Sequence, residues 1–128
     1  MSKKYEVIIK TSLEDAPKEH ELSAAIILAN DFKSDVIFLR PERKKTPDID
    51  VGGTKWEIKS PKGGSKKTME NNLRLARKQS RYIVIDLRRS KLHQARATAR
   101  IKFYLATEAH NIKKLKVITK HQKIIDIL

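Results

Sequence analysis

Along this chain, short runs in which apolar residues alternate or cluster are interleaved with longer stretches where they return every third or fourth position. The first kind of run predicts strands and the second helices, because side chains repeat every two residues in a strand and about every 3.6 in a helix. A strand is predicted over Tyr5–Lys10. A helix follows over Lys18–Asn30, with Pro17 at a tolerated starting position and Leu22, Ala25, Ile26 and Ala29 as its apolar stripe. A second helix is expected over Ser65–Ser80, with Met69, Asn72, Leu73 and Ala76 at helical intervals and Ser65 as its N-cap. The apolar run Tyr82–Leu87 reads as a strand. A long basic helix then spans Lys91 to Ala109, with Leu92, Ala95, Ala99, Phe103 and Ala106 on its buried side. Two further runs, Leu115–Thr119 and Lys123–Ile127, flank Lys120-His121-Gln122 and read as a closing hairpin. This order predicts an α/β fold, a central mixed sheet with helices on both faces. No repeat, low-complexity tract or linker interrupts the chain, so residues 1–128 read as a single domain.

The stretch with the most chemistry lies between the first two helices. Asp48-Ile49-Asp50-Val51 leads into Gly52-Gly53, a strong two-residue turn signal, and then into Trp56-Glu57-Ile58-Lys59. In a hairpin, Ile49 and Val51 share one face and Asp48 and Asp50 the other; Trp56 and Ile58 oppose Glu57 and Lys59 in the same way. The hairpin therefore gathers Asp48, Glu57 and Lys59 into one polar cluster. Two carboxylates suit Mg²⁺, a hard cation that prefers oxygen ligands. A lysine beside them can orient a water or stabilise charge on a phosphate. Asp50 lies about 6–7 Å further along the strand, where it either binds a second ion or caps the turn.

Charge narrows the partners. With 29 Lys and Arg against 15 Asp and Glu, the net charge is +14, which points to a polyanion. The excess sits in short clusters, among them Arg43-Lys44-Lys45, Lys66-Lys67, Arg88-Arg89 and Lys113-Lys114 with Lys116, several of which flank the hairpin as a basic rim. Lys62, Lys66, Lys67 and Lys78 are candidate phosphate contacts. Arg96 and Arg100 either track a phosphate backbone from their helix or stand solvated. The chain has no cysteine, which excludes disulfides, thiolate metal sites and a thiol nucleophile. Its four histidines show no ligand spacing, so zinc does not fit, and His20 reads as a surface residue. Neither glycine pair sits in a phosphate-loop context, and no apolar run is long enough to cross a membrane. The charged, alternating Met1–Lys10 is not a signal peptide.

Pro47-Asp48 followed by Glu57-x-Lys59 resembles the signature of the PD-(D/E)xK nucleases. Three further stretches sharpen the likeness: Glu21 to Ala29 with the run Asp35-Val36-Ile37-Phe38-Leu39, the loop Ser60-Pro61-Lys62-Gly63-Gly64, and Lys78-Gln79 before the next strand. Together, residues about 19 to 90 resemble the C-terminal tRNA-nuclease domains of contact-dependent growth inhibition toxins, the CdiA-type PD-(D/E)xK family. The opening Met1-Ser2-Lys3-Lys4 reads instead like a free-standing protein, whereas those domains end a very large secreted one.

The resemblance implies a restriction-endonuclease-like core and a metal-dependent ribonuclease acting on tRNA. It implies Glu21, Asp48, Glu57 and Lys59 as the active site, with Asp50 and Gln79 supporting. Glu21, Asp48 and Glu57 would hold Mg²⁺ or Mn²⁺, with the Ile58 carbonyl as a further ligand, and Lys59 would orient the attacking water. Glu21 has a plainer role open to it, since an acidic side chain in a first turn suits the helix dipole. The family likeness also implies an acidic immunity protein as partner and a cytoplasmic site of action, with delivery to a target cell. Two other functions are compatible with the same residues: a DNA endonuclease of the Holliday-resolvase or restriction type, and a catalytically idle nucleic-acid-binding protein.

Overall fold

The computed structural model describes residues 4–41, 47–65, 67–108 and 111–128. Its elements are β1 (Val7–Ile9), α1 (Glu19–Phe32), β2 (Val36–Phe38), β3 (Ile49–Val51), β4 (Thr54–Lys59), α2 (Thr68–Ala76), β5 (Tyr82–Asp86), α3 (Gln94–Thr107), β6 (Lys114–Ile118) and β7 (Ile124–Asp126). The strands form one seven-stranded sheet in sequence order. β1 and β2 are parallel, as are β4, β5 and β6, whereas β2–β3, β3–β4 and β6–β7 are antiparallel. The sheet is therefore mixed, as the element order implied, and the C-terminal hairpin closes it.

Alternation along the strands sends apolar side chains to two cores. On one face, Ala24, Ala25, Leu28 and Ala29 of α1 pack on Val36, Phe38, Ile49, Val51, Trp56 and Val84. On the other, Met69, Leu73 and Ala76 of α2 and Ala97, Ile101 and Tyr104 of α3 cover Ile83, Ile85, Leu115 and Val117. The turn between β3 and β4 uses glycine for its backbone: Gly52 and Gly53 both have positive φ, at 59° and 91°.

Several details differ from the periodicity reading. Ile26 is more than half exposed, and the buried stripe of α1 runs through Ala24, Ala25, Leu28 and Ala29 instead. Of the stripe expected for the third helix, Leu92 packs against the core just ahead of α3, whereas Ala95, Ala99, Phe103 and Ala106 are turned outward. Bulk decides the choice: burying Ile101 and Tyr104 together removes more apolar surface from water than burying Phe103 among small alanines. α2 starts at Thr68 with Lys67 as its N-cap, not at Ser65. The Ser65 hydroxyl instead pairs with the Thr68 hydroxyl at 2.9 Å, one turn ahead of the helix.

This assignment of faces is directly measurable by urea unfolding. Ile101→Ala, which empties a fully buried position, should cost about 2–5 kcal/mol. Phe103→Ala, on the open face, should stay within about 0.5 kcal/mol of the parent. The reverse ranking would mean that α3 presents the other stripe to the sheet.

Candidate active site

The β3–β4 ladder pairs Ile49 with Trp56, Asp50 with Lys55 and Val51 with Thr54. Just before β3, the Asp48 N–H still donates to the Trp56 carbonyl at 3.1 Å, and the Asp48 carbonyl accepts from the Leu39 N–H at 2.9 Å. The next N–H on β4, that of Ile58, donates to Asp48 Oδ2 at 2.9 Å. A side-chain carboxylate thus stands where the ladder would otherwise continue. β4 runs on alone against β5, and Glu57 and Lys59 project beside Asp48. Lys59 Nζ lies 3.2 Å from Glu57 Oε2. The three residues that alternation placed on one face do meet.

The cluster is electrostatically tense. Glu57 is only 2% exposed, and its Oε1 has no hydrogen-bond partner among the described residues. Burial first, and then the Asp48 charge, push its carboxyl up to about 8, with Lys59 opposing. Burial also raises Asp48, against the pull of the Ile58 N–H, and the Glu21 charge adds to the rise. A buried and a half-buried carboxyl, with one oxygen unpartnered among the described residues, form an all-oxygen donor set of the kind a hard divalent cation takes. Asp48 and Glu57 are thus a pair suited to such an ion. Among the described residues, however, no three acidic or histidine side chains converge tightly enough to form a ready-made metal centre.

Glu21 sits between two cavities. It shares one, of about 90 Å³, with Thr11, Pro47 and Asp48, and the other, of about 260 Å³, with His20, Lys59, Asn72 and Arg89. Its Oε1 also accepts the Lys18 N–H at 3.1 Å, satisfying a donor that the first turn of α1 leaves free. The same carboxylate therefore caps its helix and faces the site.

The remaining candidates separate by position. Asp50 accepts the Gly53 N–H at 2.8 Å, which makes it the clamp of the turn. Gln79 does not line the site cavities. The nine residues of α2 carry the chain roughly 13 Å away from the loop after Lys59. Ser80 then bonds the Lys55 carbonyl at 2.8 Å, near the far end of β4. Lys78 goes with Gln79 to that end. Lys113, Lys114 and Lys116 stand there too, at the start of β6, and Lys116 is held by Asp31 and Asp126 at 2.9 and 2.7 Å. Lys62 and Lys67 are exposed on the site side. Arg96 and Arg100 line a cavity of about 380 Å³ with Gly64 and Leu92, and the Lys91 N–H ties this region to the Lys62 carbonyl at 3.1 Å. Lys66 and the Arg43-Lys44-Lys45 cluster lie outside the described residues.

The sequence reading passed over residues that come from distant segments: Asn72 from α2, Asp86, Arg88 and Arg89 from the end of β5, and the inward placement of His20. Only the adjacency of Arg88-Arg89 to a predicted strand end signalled them.

Because Glu57 titrates in the native state near 8, above its ordinary 4.5, the folded protein keeps a proton that the unfolded chain has already lost in between. Stability should therefore fall as pH rises from about 5 to about 8 and flatten above. Glu57→Gln removes this contribution. In metal-free urea titrations it should be more stable than the parent at the alkaline end, with the advantage shrinking toward about pH 5. Parallel pH profiles for the two proteins would contradict the assignment.

Residues 44–124, well over half of the chain and including Asp48, Glu57 and Lys59, match the family described as the contact-dependent growth inhibition CdiA C-terminal domain. No curated protein matches. A solved structure, a CdiA-CT/CdiI toxin and immunity complex from Burkholderia pseudomallei, is similar with a TM-score of 0.66. The match is 21% identical and covers 95% of this chain and 98% of that one, so the two share a fold. By the extent of the family match, the chain belongs to the CdiA C-terminal domain family of contact-dependent growth inhibition.

Proposed function

We propose that this toxin domain is a metal-dependent endoribonuclease of the PD-(D/E)xK type that cleaves tRNA. The observation that carries the reading is the convergence of Asp48, Glu57 and Lys59 where β3 and β4 part, with Glu21 facing the same place from α1. Such a cluster is costly to bury and contributes little to folding. The run α1, β2, β3, β4, α2, β5 supports this reading, because it brings the β3–β4 hairpin and the start of α1 to one end of the sheet. The net charge of +14 supplies attraction for a polynucleotide.

In this reading Asp48 and Glu57 would hold Mg²⁺ or Mn²⁺, with Glu21 and the Ile58 carbonyl as further oxygen ligands. The ion, when bound, supplies positive charge to the scissile phosphate and acidifies the attacking water. The chain does the rest. Glu57, whose carboxyl burial and Asp48 push up to about 8, would have to give up its proton to serve as a ligand. Lys59, anchored on Glu57, orients the water or meets the charge that grows on the phosphate oxygens. The Ile58 N–H keeps Asp48 turned toward Glu57.

We further read the domain as acting in the cytoplasm of a target cell after delivery, with an acidic immunity protein protecting the producer. The structural neighbour was solved as a toxin and immunity complex. A strongly basic surface would speed capture by an acidic partner and make the rate fall with salt.

Total tRNA and, separately, plasmid DNA incubated with the protein in Mg²⁺ or EDTA test the activity. Discrete tRNA fragments are expected. They should disappear with EDTA and with Glu57→Ala, and fall at least about 100-fold with Lys59→Ala. Cleavage of DNA alone would replace the substrate assignment, and binding of both without cleavage would reduce the cluster to a structural feature.

A further inference from the structure

Two adjacent arginines leave the end of β5 and turn opposite ways. Arg88 grips Asp86 with Nε and Nη2 at 2.9 and 2.8 Å, and Asp86 is completely buried. The same guanidinium reaches Ser23 Oγ at 2.8 Å and the His20 carbonyl at 2.9 Å. Its charge is neutralised, and its role is to tie the first turns of α1, and hence Glu21, to β5. Arg89 makes no ion pair among the described residues. Nε and Nη2 donate to the hydroxyl and carbonyl of Ser60, and Nη1 meets His20 Nδ1, all at 3.2 Å. None of these partners is an anion. His20 is held below its ordinary pKa by burial first and then by Arg89, which suits a neutral ring accepting from the guanidinium.

Of the five N–H groups of a guanidinium, those three contacts leave two without a partner among the described residues. Arg89 lines the cavity of about 260 Å³ that also contains Glu21, Lys59 and Asn72. A half-buried guanidinium, fixed by neutral partners in the cavity that the candidate water-orienting lysine also lines, presents its planar fork to an anion with two adjacent oxygens. Carboxylate and phosphate both offer two oxygens to such a fork; in a chain of net charge +14 beside a candidate nuclease site the phosphate of a polynucleotide is the one favoured, and preorganisation lowers the cost of binding it.

Building on the nuclease reading, we propose that Arg89 is a substrate-contacting residue that binds a phosphate of the RNA in the cavity between Glu21 and Lys59. Arg88, its neighbour, is a positioning residue for α1.

The test uses Arg89→Gln and Arg89→Lys in two backgrounds, with Arg81→Gln at the far end of the sheet as a control for simple charge loss. Cleavage of total tRNA is followed in the wild-type background, and binding of a fluorescent RNA in the Glu57→Ala background across a salt series. Arg89→Gln should weaken binding and lower kcat/KM about 10- to 100-fold and reduce the salt slope by about one, with melting temperature retained. Arg89→Lys should recover part of the loss, because it keeps the charge but not the fork. Arg81→Gln should change binding by less than about threefold. An Arg89→Gln protein that melts normally and behaves like Arg81→Gln would overturn the proposal. Should Arg89→Gln unfold, a folded Arg89→Lys with undiminished binding and cleavage would overturn it equally. Failure of the nuclease reading looks different: RNA binding would still depend on Arg89, but the wild-type background would cut nothing.

Discussion

The site depends on one hydrogen bond, from the Ile58 N–H to Asp48 Oδ2. A β-ladder continues as long as each N–H finds a backbone carbonyl. Here a carboxylate takes that place, so the two strands part without leaving a buried donor unpaired. The gap that opens is where Glu57 and Lys59 point. Asp48 thus ends the hairpin and furnishes half of the carboxylate pair, and the backbone bond holds its charge in place against burial.

Around that opening the molecule concentrates charge in apolar surroundings. Glu57 lies under α2 on a sheet face otherwise filled by aliphatic side chains, with one oxygen unpaired among the described residues. A core assembled for stability alone would place an apolar residue there. The cost is kept local by Lys59 on one side and offset by two well-packed cores on either face of the sheet. At the opposite end, Trp56 packs edge-on against Phe32 at 5.1 Å and beside Tyr82 at 5.4 Å. Those rings anchor β4 below the site, so the strand bearing Glu57 and Lys59 is held firmly.

Helix α1 has to be registered against the sheet if Glu21 is to face Asp48. Apolar burial alone fixes such a register loosely, since alanines and a leucine fit several offsets. The directional bonds from Arg88 to Asp86, Ser23 and the His20 carbonyl remove that freedom. A fully buried acid paired with a forked cation is well suited to specifying geometry, whatever it adds to net stability.

Much of this was legible in the residues. Period-two alternation about a Gly-Gly turn brought Asp48, Glu57 and Lys59 to one face, because a strand offers its side chains only two directions. The family likeness read from the same motifs agrees with the family match. The order of elements was equally readable. Helix faces were less so: α3 carries two apolar stripes, and choosing between them required knowing that Ile101 and Tyr104, rather than Ala99 and Phe103, meet the sheet. Gln79 was placed with the site by motif, yet a straight helix carries it to the other end of β5. Spacing along the chain says nothing about such distances across it. Local periodicity, then, determined which residues share a strand face and that the sheet is mixed. Only the tertiary structure decided which distant segments close on that face, namely Glu21 and His20 from α1, Asn72 from α2 and the two arginines after β5. The reason is physical: alternation is a property of the backbone, whereas these contacts depend on packing and hydrogen bonds between segments far apart in sequence.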